Sequence, residues 1–494
     1  MSGWLENIFD SIKHLNNFVD KYKKDTVIQS LPTLTFVNRA KKMIEQGDFV
    51  EAEDVLKKAL ELPQKDALVY KYLGLVYEKT GRNELAVESY QNSAEINPQD
   101  KNIWQRLGFS LISTGKFEQA EKAFENSDKI QCGVSETYTG WGMALMKQEK
   151  FSGAREKFAK ASKMNKYNFS AMFLCAVVEI KLEMYDKAEE KLAFLTKVYP
   201  NEGNTFEYAR LKAIKNDYAD AICYAKKALE FNSNMLPAYI LLGQLYSAKY
   251  DKENALKMFE LAFGKDLISQ ALYLEWGKAL QKFEMYDDAL EKFQKAFELD
   301  PENIDVMASL GFCYAINKQL DKAEPLLQKA IEKDPENKKV KQALGIIAYK
   351  NGDIDKAISI LKSNDENEIS CYYLAKCFEY QGNDIRTVDY YEACLRLNDS
   401  FMTAYLDYVN YLISKNEFAD AKRKLRKALK IDENNIVLLN LMFYVSYILV
   451  KDNVCEYNVK ETLEIAEKIE NINPDLFEYP VQKQELINIL PERD

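Results

Sequence analysis

One alanine recurs along this chain at a nearly constant interval: Ala52, Ala86, Ala120, Ala154, Ala188, Ala221, Ala255, Ala289, Ala323 and Ala357. Each step is 34 residues except one of 33; the frame then shortens by four, so that Thr387 takes the slot and Ala421 follows 34 later. A single globular core has no reason to repeat one small residue in this way. Self-similarity at a period of roughly 20–50 residues means an array of like units.

A second small residue lies twelve positions before the alanine: Ala40, Gly74, Gly108, Gly142, Ala176, Ala209, Gly243, Gly277, Gly311, Gly345 and Ala375. Between the two landmarks sits a turn, as in Gln46-Gly47-Asp48, Thr80-Gly81-Arg82, Thr114-Gly115-Lys116 and Asn351-Gly352-Asp353. Large residues lie three or four positions from the small ones, as at Trp104, Leu107, Leu111 and Phe124, which is the spacing of one helix face. Many units close on a proline, at Pro98, Pro200, Pro301 and Pro335, where a helix cannot continue. Each unit therefore reads as two helices of about a dozen residues joined by a short turn. A glycine inside the first helix costs about 1 kcal/mol in propensity, so its recurrence signals close approach of the paired helix. A lone hairpin cannot bury its apolar faces; stacking on its neighbours does.

These motifs resemble the tetratricopeptide repeat. The pattern is explicit at Tyr70, Leu73, Gly74, Tyr77, Gly81, Ala86, Tyr90 and Pro98. It recurs at Tyr239, Leu242, Gly243, Tyr246, Ala255, Phe259 and Ala262, and again at Leu310, Gly311, Tyr314, Ala323, Leu327, Ala330 and Pro335. Twelve units begin at 33, 67, 101, 135, 169, 202, 236, 270, 304, 338, 368 and 402, covering residues 33–433. The resemblance implies an all-α fold, a tetratricopeptide-type α-solenoid in which antiparallel helix pairs wind into a right-handed superhelix. Departures mark 169–235, where Glu179 and Lys212 replace the Tyr-like residue, and 360–368, where the unit at 338 is cut short. A change of stacking or a bend is expected there.

The ends depart from the pattern and read as caps, which repeat arrays need for solubility. Residues 1–32 are expected to hold an amphipathic capping helix, with Trp4, Ile8, Ile12, Leu15, Val19 and Tyr22 on one face. Docking on a membrane surface is the alternative for that face, weakened by the mixed charge opposite it. Residues 434–494 form an atypical helical cap, with helices expected at Ile436–Val450, Asn458–Ile469 and Pro480–Ile489.

Chemistry is sparse. The chain has one histidine, His14, so His-based metal sites, triads and Cys-His pairs have almost nothing to build on. Its eight cysteines are scattered without a C-x-x-C, as expected of reduced thiols in the cytoplasm. No phosphate-binding glycine motif is present. A net charge of −10 argues against a nucleic-acid partner. The densest basic run, Lys422, Arg423, Lys424, Arg426, Lys427 and Lys430, lies on a predicted helix and reads first as a solvated face, with an acidic partner surface as the alternative. No enzyme activity and no cofactor or metal is expected, and neither is membrane contact.

In the resembled family the first helix of each unit lines a concave groove that holds peptides or partner proteins. The slots that form a peptide-carboxylate clamp in some relatives read Val37, Lys41, Tyr72, Asn102 and Arg106 here, which leaves the clamp incomplete. The asparagine ladder of the sugar-transferring relatives is matched only at Asn38. The groove positions read instead Lys71, Arg106, Phe109, Phe173, Phe206, Arg210, Lys278, Phe312, Tyr372 and Lys376. Aromatics with Arg and Lys are suitable anchors for a protein surface, although some of these rings are equally suited to packing between units. The resemblance thus implies a noncatalytic scaffold or adaptor binding a protein or peptide. The alternative is a regulatory or assembly subunit of an obligate complex.

Overall fold

A computed structural model describes residues 25–63, 65–452 and 456–489. The expected helix at 3–24, His14 and Cys455 lie outside the described residues. Among those residues every regular element is a helix. The first three pairs are α1 (Asp25–Gln46) with α2 (Phe49–Leu60), α3 (Ala67–Lys79) with α4 (Asn83–Ile96), and α5 (Lys101–Ser113) with α6 (Phe117–Ile130). Next come α7 (Ser135–Lys147) with α8 (Phe151–Met164), α9 (Phe169–Lys181) with α10 (Tyr185–Val198), and α11 (Glu202–Ile214) with α12 (Tyr218–Phe231). The array goes on through α13 (Leu236–Ala248) with α14 (Lys252–Gly264), α15 (Gln270–Lys282) with α16 (Tyr286–Leu299), and α17 (Ile304–Ile316) with α18 (Leu320–Lys333). It continues with α19 (Lys338–Lys350) and α20 (Ile354–Leu361), α21 (Glu368–Tyr380) and α22 (Asp384–Leu397), and α23 (Met402–Ser414) and α24 (Phe418–Ile431). A longer hairpin of α25 (Ile436–Asp452) and α26 (Glu456–Ile472) follows, then a 3₁₀ turn and α27 (Pro480–Ile489). The chain divides into two compact units, Met1–Leu245 and Tyr246–Asp494. Within each, antiparallel helix pairs stack as an all-α solenoid.

The periodic residues explain this order. Every alanine of the 34-residue frame, and Thr387 in its slot, is fully buried. The partner landmark takes the facing ring of its own pair. A Cβ added at Gly74 would lie 2.7 Å from Tyr90, one at Gly108 2.6 Å from Phe124, and one at Gly277 2.5 Å from Phe293. Real Cβ atoms do not approach that closely, so glycine there is a packing requirement that overrides helix propensity. First helices begin on side-chain caps: Asp66, Asp100, Asn168, Asn201, Ser269, Asn303, Asn337 and Asn367 each accept from a backbone N–H of the first turn.

The turn inside each of the twelve repeat pairs holds one residue at positive φ. Gly47, Gly81, Gly115, Gly352 and Gly382 fill that place, but so do Glu149, Glu183, Asn216, Tyr250, Glu284, Lys318 and Asn416. The turn is closed by a bond such as Lys150 N–H to Leu145 C=O at 3.0 Å, or Met285 N–H to Leu280 C=O at 2.9 Å. This is a Schellman closure, and it imposes the left-handed conformation whatever the side chain.

Residues 169–235 keep ordinary lengths, with first helices of 13 residues and second helices of 14. Ion pairs stand where the aromatic is missing. Glu179 is buried and pairs with Arg155 of α8 at 3.1 Å and Lys191 of α10 at 2.8 Å. Lys212 reaches Glu189 of the same α10 at 2.9 Å. The hydrogen bond from Lys212 to Glu189 holds its ammonium well above the usual lysine range. The short unit at 338 ends in a second helix of eight residues and a single 3₁₀ turn at 362–364. In the closing hairpin, buried Asn440 donates to the Leu476 carbonyl at 2.9 Å and accepts from the Glu478 N–H at 3.1 Å, pinning the final segment.

Candidate functional site

The groove residues expected from the sequence separate into groups by what they touch. Lys71 of α3 pairs at 2.7 Å with Asp100, the residue that caps α5. Arg106 of α5 pairs at 3.0 Å with Glu78 of α3, which also accepts from the buried Tyr90 hydroxyl at 2.8 Å. Phe109 meets Phe124 edge-on at 5.1 Å between centroids. Tyr372 of α21 donates to Asp407 of α23 at 2.7 Å, and Lys376 reaches the same carboxylate at 3.2 Å. Burial raises the Tyr372 hydroxyl far above its usual range. Phe312 is buried, with Tyr286 at 6.1 Å. All six contribute to packing or ion pairing inside the array. Lys278 stays half-buried and pairs within its own helix, at 2.6 Å to Glu275.

Phe173, Phe206 and Arg210 form a different arrangement. On α11, Gly203, Phe206, Glu207 and Arg210 share one face by their three- and four-residue spacing. The Phe173 ring comes across from α9, its Cζ 3.9 Å from where a Cβ of Gly203 would sit. Both phenylalanines are half-buried. One guanidinium nitrogen of Arg210 donates to both oxygens of Glu207 at 2.9 Å, one turn back on the same helix. Burial pushes the Glu207 carboxyl up, against the pull of Arg210. The result is a patch of two rings beside a guanidinium that is not committed to a neighbouring repeat.

In residues 246–494 the first-helix face is crossed by a contact that the repeat pattern does not show. Tyr250, in one turn, donates its hydroxyl to Asn398 at 2.7 Å, a separation of 148 residues. Glu284, in the next turn, accepts from the Met402 N–H at 3.0 Å, the Thr403 N–H at 3.3 Å and the Thr403 hydroxyl. It thereby caps α23 from 118 residues away. Both residues stand at the positive-φ position of their turns. Beneath this clasp lies a cavity of about 430 Å³, lined among others by Lys278, Lys282, Ser309, Phe312, Gln342 and Phe401. Lys282 sits over the Tyr250 ring at 4.4 Å, and burial lowers its pKa.

The described residues contain no group of three or more His, Cys, Asp or Glu arranged to hold a metal. Burial raises the Cys371 thiol to about 11 and the Cys377 thiol to about 12, the opposite of a reactive thiolate. No helix among the described residues is long and apolar enough to cross a membrane.

Paired helices repeated at this interval, with small residues facing large ones across each pair, define an α-helical repeat scaffold of the protein-interaction kind. The chain is a tetratricopeptide-repeat protein: residues 236–264, 274–338 and 315–366 match the tetratricopeptide repeat, and residues 38–200 match the family described as "Psidin, N-terminal TPR repeats region". No curated protein matches it in sequence. Among solved structures it is similar to a chain of the APC/C hetero-tetramer Cut9-Hcn1, at 14% identity and a TM-score of 0.49, over 93% of this chain and 96% of that one. A tetratricopeptide repeat protein from Parabacteroides merdae aligns at 19% identity and a TM-score of 0.41, over 50% of this chain and 98% of that one. Pseudomonas aeruginosa pilF aligns at 18% identity and a TM-score of 0.39, over 45% and 99%.

Proposed function

We propose that this protein is a noncatalytic scaffold or adaptor that holds a protein or peptide segment on the first-helix face of its repeats, centred on Phe173, Phe206 and Arg210. The observation that carries this reading is the patch itself. Six of the other groove residues are tied into packing or ion pairs between helices, whereas Arg210 pairs within α11 itself and Phe206 stays half-buried beside it, with the Phe173 ring packed across from α9 and still partly exposed. Aromatic and arginine side chains give most energy per residue at protein interfaces, because they bury much area at little cost in conformational freedom. The face in residues 246–494 is crossed by the Tyr250 and Glu284 contacts, which favours the first unit as the open surface.

Affinity capture from the native cell tests this, with Phe173→Ala, Phe206→Ala and Arg210→Ala combined in one variant. Loss of the main captured protein, with helicity unchanged, is expected. An unchanged set of captured proteins overturns the assignment. Co-purification of the unaltered chain with one stoichiometric partner, insensitive to the triple change, points instead to an obligate subunit.

A further inference from the structure

The basic run of α24 is not one uniform charged face. Lys422 and Arg426 both bind Glu461 of the closing hairpin, at 3.0 and 2.7 Å. Arg423 pairs with Asp420 at 2.7 Å, and Lys424, itself buried, with Glu392 of α22 at 2.5 Å. Lys427 and Lys430 have no ion-pair partner among the described residues, and neither does Arg396 of α22. Those three cations are all exposed, and all line one cleft of about 660 Å³ between α22 and α24. Of the carboxylates in its wall, Glu392 is already neutralised by Lys424, which leaves Asp399 against three positive charges. The half-exposed Ile431 supplies apolar surface beside them, over the buried Leu395. In a chain of net charge −10, a cleft where unpaired cations from two helices converge is a local reversal of sign.

We infer that this cleft is a second docking surface, separate from the first-helix face, and that it takes an acidic segment of a partner protein. Carboxylates of the segment meet Arg396, Lys427 and Lys430, while an apolar side chain rests on Ile431. A protein segment is favoured over a nucleic acid for two reasons. The half-exposed Ile431 beside the cations suits an apolar side chain rather than a phosphate backbone, and the one aromatic in the wall, Tyr405, is buried and offers no face for base stacking.

The test uses the full chain and a fluorescent peptide of alternating Glu and Leu, with a Gln-for-Glu peptide and single-stranded oligothymidylate as comparison probes. The Glu peptide is expected to bind roughly ten-fold more tightly than the Gln peptide, and to weaken with added salt as screened exposed charges do. Combined Arg396→Ala, Lys427→Ala and Lys430→Ala lowers its affinity by about ten-fold. The Phe173, Phe206 and Arg210 variant leaves it unchanged, so that failure of the first-helix reading and failure of this one are distinguishable. Equal binding of both peptides, or no loss in the cation variant, overturns the inference. So does tighter binding of the oligothymidylate, or self-association that the cation variant abolishes, which would assign the cleft to a second copy of the chain.

Discussion

At the scale of single residues, two glycine roles follow different rules. Gly277 is a volume requirement: any Cβ there meets Phe293 at 2.5 Å. Gly277→Ala is expected to destabilise by about 1–3 kcal/mol despite the better helix propensity of alanine. Adding Phe293→Leu recovers part of that loss, because a smaller partner makes room for the methyl. Denaturant unfolding of the single and double variants shows this as a positive coupling, and additive effects contradict it. The turn position is a conformational requirement instead. Glu149 holds φ at 60° with its side chain exposed, so Glu149→Gly is expected to stabilise by roughly 0.5–1 kcal/mol, the left-handed strain removed less the extra chain entropy of glycine. A lower melting temperature in Glu149→Gly contradicts that. Only the first role was legible in the sequence at most units, because small-opposite-large pairing repeats there. The second was legible only where glycine marks it; Glu149, Tyr250 and Lys318 carry no sign of positive φ, since backbone closure imposes it.

At the scale of helices, the starts at 67, 101, 135, 169, 202, 236, 270, 304, 338, 368 and 402 agree with the landmark frame. Close packing ties each small residue to one register of its partner helix. The first helix begins earlier than the frame indicates, at Asp25. At the departures Glu179 and Lys212 the helices are of normal length, held by charges on α10 that a search for aromatics passes over. Lys191→Met leaves buried Glu179 with Arg155 as its one cation, beside the Cys175 thiol at 3.7 Å. The cost is expected near the lower end of about 3–5 kcal/mol, and Glu179→Leu added to it restores most of the loss. Hydrogen exchange across α8, α9 and α10 measures both steps. Equal exchange in Lys191→Met and the unaltered chain contradicts the account.

At the scale of the whole molecule, the repeat period was legible because every unit solves the same packing problem. The Tyr250 and Glu284 contacts were not, because they join residues 148 and 118 apart that share no pattern. Glu284→Ala removes the cap of α23, and exchange at the Met402 and Thr403 amides is expected to rise roughly 2- to 30-fold, the equivalent of about 0.5–2 kcal/mol. Thr403→Val gives a smaller rise in the same direction, and protection unchanged in both variants means the contact contributes nothing. Of the candidate site, the residue types were readable in advance but their commitments were not: whether Lys376 is spent on Asp407, or Phe206 left facing outward, depends on neighbouring repeats. The central claim, that the face of α9 and α11 receives a partner, is tested most directly by a photo-crosslinking residue placed at Phe206 and, as a control, at exposed Phe194 on the second helix α10. The captured partner is expected to crosslink from 206 and not from 194; crosslinking from 194 alone, or from neither, contradicts the placement.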